Sequence, residues 1–378
     1  MSPCPTPLAS AIVGGSPDPF SNPGGPMTGP ILSSRNPVRA LLPLVGNTPL
    51  LEIHIDLDGQ RKRVFAKYES LNLTGSIKDR IAIQILAQAY ETGELADGYE
   101  IVEATSGNTG IAFAAVGRAL GHPVRIYMPD WLSKERFQIL EAIGAQIVGV
   151  SKAEGGFLRA IELAHERTQH ELNCFCPRQF SNTANIDTHD WGTGREILSQ
   201  LASIGLRPWS FVAGVGTGGT VMGVARAFKR FDERVDVHPL EPQNSPTLTQ
   251  GHKVGSHRIQ GISDEFIPAI VDLKSLDSIL SVDDGDSILM AQKLSTSLGL
   301  SVGISSGANF LGALKLLADL PPEAVVVTVF PDSNKKYLTT DLVRDEPVKE
   351  GFWAPRCTPL HYRALPRPAA ELQEAILS

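Results

Sequence analysis

Residues 214–220 read Gly-Val-Gly-Thr-Gly-Gly-Thr, directly after the apolar run Phe211-Val212-Ala213 and directly before an apolar helical pattern. A glycine-rich turn between a strand and a helix is a phosphate cradle by location. Glycines let the backbone approach an anion closely, and the N–H groups at the helix start, with the macrodipole behind them, bind it without Lys or Arg. Two other readings stay open on these residues alone. Gly214, Gly216 and Gly219 also satisfy G-x-G-x-x-G, and Glu241 lies at the end of the next strand, where a dinucleotide fold carries its ribose-binding acid. The third is a plain tight turn.

On both sides of this loop short β-branched runs alternate with longer helical patterns, the signature of a sheet with many parallel strands and helices on its faces. Strands are predicted at residues 64–68, 100–103, 124–128, 146–150, 211–213, 235–240 and 325–330, and helix starts near Lys78, Asn108, Ser133, Gly219, Asp284 and Ser306. Such sheets place ligands in the loops at strand ends. The 378 residues are 20% charged and 42% apolar, with no apolar run near the roughly 20 residues of a bilayer span. Net charge is -7 and the 34 basic residues are scattered, which excludes a nucleic-acid stripe and points to small polar metabolites as partners. Four cysteines with only one close pair, Cys174-x-Cys176, make neither a zinc knuckle nor a disulfide framework and suit a reducing cytoplasm. Residues 1–37 hold nine prolines and five glycines with no positive charge before Arg35, so a disordered tail is expected there and no secretory or Arg-rich leader.

Three further loops carry reactive chemistry. In Ser76-Ile77-Lys78-Asp79-Arg80, Ser76 reads as an N-cap that puts Lys78 in the first helical turn, where the positive helix end lowers an ammonium pKa and suits an amine that attacks an aldehyde. A solvated surface lysine is the plainer alternative. Thr105-Ser106-Gly107-Asn108-Thr109-Gly110 packs hydroxyls, an amide and flexible backbone into a loop that can wrap a carboxylate, or is an ordinary turn and cap. Ile304-Ser305-Ser306-Gly307-Ala308-Asn309 reads by itself as a serine cap.

In this order, with Gly46-Asn47-Thr48-Pro49-Leu50, Gln179-Phe180-Ser181-Asn182, Gln260-Gly261-Ile262 and Pro331-Asp332-Ser333, the pieces resemble the cysteine synthase and cystathionine β-synthase family of fold-type II pyridoxal-phosphate enzymes over roughly residues 40–340. The resemblance implies a tryptophan synthase beta-like α/β fold: two three-layer domains with pyridoxal 5'-phosphate in the cleft between them. The larger cofactor domain would comprise 38–78 and 186–345, the smaller mobile substrate domain 79–185, and 346–378 a C-terminal extension that drapes over a surface or stays mobile. Lys78 would hold the cofactor as an internal aldimine and Asn108 would contact its ring hydroxyl. Gly216, Thr217, Gly218, Gly219 and Thr220 would cradle the phosphate, and Ser305, with Ser306 as the alternative, would face the pyridine nitrogen. Thr105, Ser106, Gly107, Thr109, Gln179 and Gly261 would bind substrate. A serine at the pyridine nitrogen cannot keep it protonated as an aspartate can, which favours β-elimination over transamination.

The implied reaction is β-replacement on O-acetylserine or O-phosphoserine by sulfide or a thiol through an α-aminoacrylate, with Lys78 as the base. A homodimer is implied, and some relatives accept a serine acetyltransferase tail in the active site. Asp264 and Glu265 depart from the family wording and put negative charge at the expected mouth, which favours sulfide or a neutral thiol over an anionic nucleophile. Trp131 and Lys134 are departures of the same kind, with surface packing as their plainer reading. A serine/threonine dehydratase or other β-lyase is the alternative within the cofactor class. A nicotinamide oxidoreductase or a binding protein leaves Lys78 and the 105–110 loop without a role.

Overall fold

A computed structural model describes residues 32–105, 107–132 and 134–366. The chain opens with two antiparallel strands, β1 (Leu50–Leu57) and β2 (Gln60–Tyr68), then α1 (Lys78–Thr92), β3 (Glu100–Ala104), α2 (Asn108–Ala119), β4 (Val124–Pro129), α3 (Lys134–Ile143), β5 (Gln146–Val150), α4 (Gly156–His170) and the short β6 (Cys174–Phe175). It continues through α5 (Ala184–Thr188), α6 (Arg195–Ala202), β7 (Ser210–Gly214), α7 (Gly219–Phe231), β8 (Asp236–Pro242), α8 (Thr247–Gln250), β9 (Leu280–Val282), α9 (Asp284–Leu298), α10 (Ile304–Asp319), β10 (Val326–Phe330) and β11 (Cys357–Leu365).

Two sheets result. The larger has the order β11-β1-β2-β10-β7-β8-β9 and the smaller β5-β4-β3-β6. The smaller is wholly parallel, and the larger is parallel from β2 to β9. Strand residues alternate between two cores, as the pleat demands. Val64, Ala66, Val212 and Val326 pack with α9 and α10, while Phe65, Phe211, Ala213 and Val327 pack with α6 and α7. In the smaller sheet Ile101 and Ile126 meet α1 and α2, and Val102 and Tyr127 meet α4. Each sheet is therefore covered on both faces, as parallel sheets are.

All seven predicted strands overlap observed ones, and the helices expected near Lys78, Asn108, Gly219 and Asp284 begin at those residues. The last helix starts two residues early, at Ile304, and Ser133 lies outside the described residues. The strands β1, β6, β9 and β11 lack a legible signal: β6 has two residues, β9 three, and β11 carries Pro359.

Both tails need correction. Residues 1–31 of the expected disordered tail and 367–378 lie outside the described residues. Residues 32–37 are anchored: Leu32 is buried against α1, and the Asn36 amide donates to Ala87 O at 2.9 Å while its oxygen caps the 3-10 turn Pro37–Leu44. The expected C-terminal drape is an integral edge strand. From Cys357 to Leu365 it pairs antiparallel with β1, Leu365 opposite Leu50 and Cys357 opposite Leu57, with a bulge at His54/Ile55. Pro359 is tolerated there because an edge strand has one side without ladder bonds.

One buried ionic cluster ties the start of α1 to the larger sheet. Arg80 donates to both oxygens of Glu69, with Nε at 2.6 Å, and to both of Glu196, with Nη1 at 2.7 Å. Lys67 on β2 also reaches Glu196, at 2.8 Å. Removing one partner from a buried cluster leaves uncompensated charge. Glu196→Gln should therefore cost about 3–5 kcal/mol in urea unfolding; a loss below about 1 kcal/mol, the ordinary range for an exposed pair, would exclude this role.

Candidate functional site

Three strands of two sheets end at one crevice. β3 ends before Thr105, β7 before Val215 and β10 before Pro331, and the loops that follow line a single pocket. The pocket brings together Lys78, Thr105, Gly107, Asn108, Thr109, Gln179, Gly216, Thr217, Gly218, Thr220, Gly261 and Ser305. These are all the residues to which the resemblance gave a cofactor or substrate role as first choice, except two. Ser106 lies outside the described residues, and Gly219, the first residue of α7, stands behind the loop against Asn185.

Lys78 is the first residue of α1, and Ile77, not Ser76, occupies the cap position. The Ser76 hydroxyl still accepts from Lys78 N at 3.3 Å. Ile77 N donates to Pro331 O at 2.8 Å, which joins this turn to the end of β10. The Lys78 ammonium is pushed below its usual value chiefly by burial, with Asp332 and Asp264 pulling it up. Burial favours the neutral amine, and the two carboxylates oppose it.

The glycine turn is built by close approach. A Cβ on Gly216 would lie 2.3 Å from Gly261 O, and one on Gly219 would lie 1.9 Å from Asn185 Oδ1. Gly218 has φ +88°, a left-handed conformation that strains any side-chain-bearing residue. Thr217 Oγ1 accepts from Asn185 Nδ2 at 2.9 Å, and Thr220 Oγ1 lies 3.3 Å from His189 Nε2. The cradle therefore offers backbone N–H groups at the start of a 13-residue helix and two oriented hydroxyls. This is a fit for a phosphate monoester. Glu241, the candidate ribose acid, is occupied elsewhere: it is buried and accepts from Leu248 N at 2.7 Å, capping α8.

On the opposite wall, Thr109 Oγ1 donates to Gln179 Oε1 at 2.7 Å, and Gln179 Nε2 donates to Ala104 O at 2.9 Å. Gly107 N donates to Thr105 Oγ1 at 3.1 Å. Asn108 is fixed at both ends of its amide. Lys336 Nζ donates to Oδ1 at 2.7 Å, and Nδ2 donates to Asp332 Oδ2 at 2.7 Å. Ser305 faces the pocket from the first turn of α10, whereas Ser306 is fully buried with an unpartnered hydroxyl among the described residues.

Sequence reasoning missed Arg136, Lys336 and Tyr337. Arg136 lines the pocket from α3, beside Gly107, and hydrogen-bonds Gln260 across the cleft. Its signal was positional: α3 follows β4 as α2 follows β3. The two acids expected at the mouth separate. Glu265 pairs with Lys253 at 2.9 Å, while Asp264 is in the pocket wall, its carboxyl pushed up to about 6 by burial despite the pull of Lys78. Trp131 is half exposed on the surface with Lys152 over its ring, and it does not line the pocket.

The family model described as pyridoxal-phosphate dependent enzyme matches residues 41–332. A probable cysteine synthase of Bacillus subtilis is 38% identical over 302 residues, covering 79% of this chain and 96% of its own. The crystal structure of a hydrogen sulfide-producing enzyme from Fusobacterium nucleatum superposes with a TM-score of 0.85 at 54% identity, covering 87% of this chain and 98% of its own. An O-acetyl serine sulfhydrylase isoform from Entamoeba histolytica superposes with a TM-score of 0.74 at 32% identity, covering 89% and 96%.

Behind the Gln179 wall, buried Glu103 accepts from Ala104 N at 2.8 Å and Gln179 N at 3.1 Å. Burial pushes its carboxyl from 4.5 up to about 7, with those N–H groups opposing. The folded state therefore holds a proton that the unfolded state releases, and stability falls as pH rises between these two values. Glu103→Gln should remove that slope, worth at most about 3 kcal/mol. Urea midpoints at pH 5 and pH 8 check it, and an unchanged slope would refute the assignment.

Proposed function

From the premise that the chain belongs to the pyridoxal-phosphate dependent enzymes of the cysteine synthase kind, we propose that it carries out β-replacement on an activated serine such as O-acetylserine, with sulfide or a thiol as the nucleophile. One observation supports the assignment of roles: Lys78, Asn108, Ser305 and the residues Gly216, Thr217, Gly218 and Thr220 of the cradle come from four separate segments of chain and line one pocket. When bound through Lys78, pyridoxal phosphate supplies the electron sink that acidifies the α-hydrogen and lets the β-substituent leave.

The chain's own residues do the rest. Residues 216–220 hold the phosphate with backbone N–H groups and the Thr217 and Thr220 hydroxyls, while Ser305 offers a hydroxyl to the pyridine nitrogen without charging it. Thr105, Gly107 and Thr109 bind the substrate carboxylate, and Gln179 is held for the same purpose by Thr109 and Ala104 O. Lys78, whose ammonium form burial disfavours, takes the α-hydrogen as a proton on its Nζ. The smaller sheet and its helices form the mobile unit in this proposal. Its Asn108 and Arg136 bond Lys336 and Gln260 on the other side, which excludes water from the closed pocket. Cys174, Cys176 and Cys357 are free thiols, which suits a cytoplasmic setting. Among the described residues no helix is long and apolar enough to cross a membrane.

A second reading, release of hydrogen sulfide from cysteine, is favoured by Asp264. Its carboxyl titrates at about 6 in the same pocket as Lys78, so it can give a proton to departing sulfide or take one from a neutral thiol. Acetate leaves as a stable anion and needs no such partner.

Two experiments follow. The purified protein with pyridoxal phosphate should show a visible absorbance band that O-acetylserine displaces and sulfide restores, and Lys78→Ala should lose that response. A band unchanged by both compounds would refute the substrate, and no band at all would refute the cofactor. Asp264→Asn should slow sulfide release from cysteine about a hundredfold while acetate release from O-acetylserine persists. Equal losses in the two assays would remove Asp264 from the sulfur step.

A further inference from the structure

We propose that Lys336 and Asp332 are positioning residues that lock the amide of Asn108 in one orientation and thereby set the charge on the oxygen of the cofactor ring; this rests on the reading of Asn108 as the residue that faces that oxygen. The two ends of an asparagine amide have nearly the same size and shape, and packing alone distinguishes them poorly. Here the partners differ in kind. Lys336 is an ammonium that can only donate, and it sits 2.7 Å from Oδ1. Asp332 is a carboxyl whose Oδ2 lies 2.7 Å from Nδ2. Flipping the amide would set N–H against the Lys336 donor and carbonyl against the Asp332 Oδ2, losing both bonds at once.

Asp332 is itself held. The Tyr337 hydroxyl, kept protonated by burial, donates to the same Oδ2; Asp332 O accepts from Gly303 N at 3.2 Å, and Asp332 stands opposite Ser76, two residues before Lys78, in an isolated antiparallel bridge. Lys336 is half-buried, with Asp332, Asp79 and Arg136 as the charged groups around it, and among the described hydrogen bonds its ammonium is used on Asn108. The pair spans the crevice: Asn108 opens α2 on the smaller sheet, and Asp332 and Lys336 follow β10 of the larger one.

The locked amide has a chemical consequence. Asp332 takes one hydrogen of Nδ2, and the Tyr337 oxygen lies beside the same donor; in this proposal the remaining hydrogen turns to an acceptor in the pocket that Asn108 lines with Lys78 once one is bound there. A donor at that position stabilises a negatively charged ring oxygen and so favours the form of the bound cofactor that absorbs in the visible. A flipped amide would present its carbonyl instead and favour the neutral oxygen, which absorbs in the near ultraviolet. Lys336 thus acts through Asn108 and need not touch the cofactor.

The test compares holoprotein of the native chain with Lys336→Met and Lys336→Arg, at matched cofactor content. In Lys336→Met the ratio of visible to near-ultraviolet absorbance should fall about tenfold, equivalent to about 1.4 kcal/mol. Lys336→Arg, still a pure donor, should restore it. Lys336→Gln, an uncharged amide that can accept as well as donate and so enforces no orientation, replaces Lys336→Met if that variant does not fold, and its ratio should fall in the same direction. An unchanged ratio in the uncharged variant would overturn the proposal, as would an equal fall in Lys336→Arg, which would point to packing instead. Absence of a visible band in the native chain would instead defeat the cofactor assignment, so the two failures are distinct.

Discussion

The position of Lys78 depends on the burial of Arg80, two residues further along α1. Its guanidinium spends its N–H groups on Glu69, Glu196 and Thr48 Oγ1, and those partners belong to the turn just after β2, to α6 and to the loop before β1. A buried cation of this kind tolerates almost no displacement, because any shift exposes an unpaired charge to a low-dielectric surround. The helix start is pinned from below as a result. With Ile77 N bonded to Pro331 O, the first turn is also tied to the end of β10. Lys78 therefore enters the pocket from a rigid base, as a group that must be presented at a reacting centre requires.

The glycine turn is held by the opposite means. It is shaped by the absence of side chains where Gly216 meets the backbone of Gly261 and Gly219 meets Asn185. Asn185 joins this turn to the substrate-side wall, since its Nδ2 bonds both Thr217 Oγ1 and Gln179 O at 2.9 Å. Displacement of either wall would be felt through one amide. Under the proposed roles the phosphate end lies on the larger sheet and the carboxylate end on the smaller one, the division of labour expected if one unit moves while the other holds the cofactor.

Much of this was legible in the chain. The runs 100–103, 124–128 and 146–150 are short and carry β-branched residues, so the parallel strands could be read from local pattern, as could the loops that follow them. Strands β9 and β11 could not. Three residues are too few to carry a period, and Cys357–Leu365 becomes a strand only because β1 offers a free edge. Arg136 reads as an ordinary charged residue in a solvated helix turn, and only the folded chain puts it beside Gly107. Lys336 is likewise inconspicuous in Asn334-Lys335-Lys336.

By itself the sequence determined what is local: where strands give way to helices, which turns have backbone N–H groups to offer, and which of them carry a lysine, an amide or hydroxyls. These follow from side-chain period, glycine and capping chemistry within a few residues. The tertiary structure alone decided which charges lose their water and who their partners are. Asn108 meets Asp332 and Lys336 across 224 and 228 residues of chain, and Asp264 turns into the pocket while its neighbour Glu265 pairs outside. Desolvation and pairing depend on every atom nearby, whatever its place in the chain, and no local pattern encodes them.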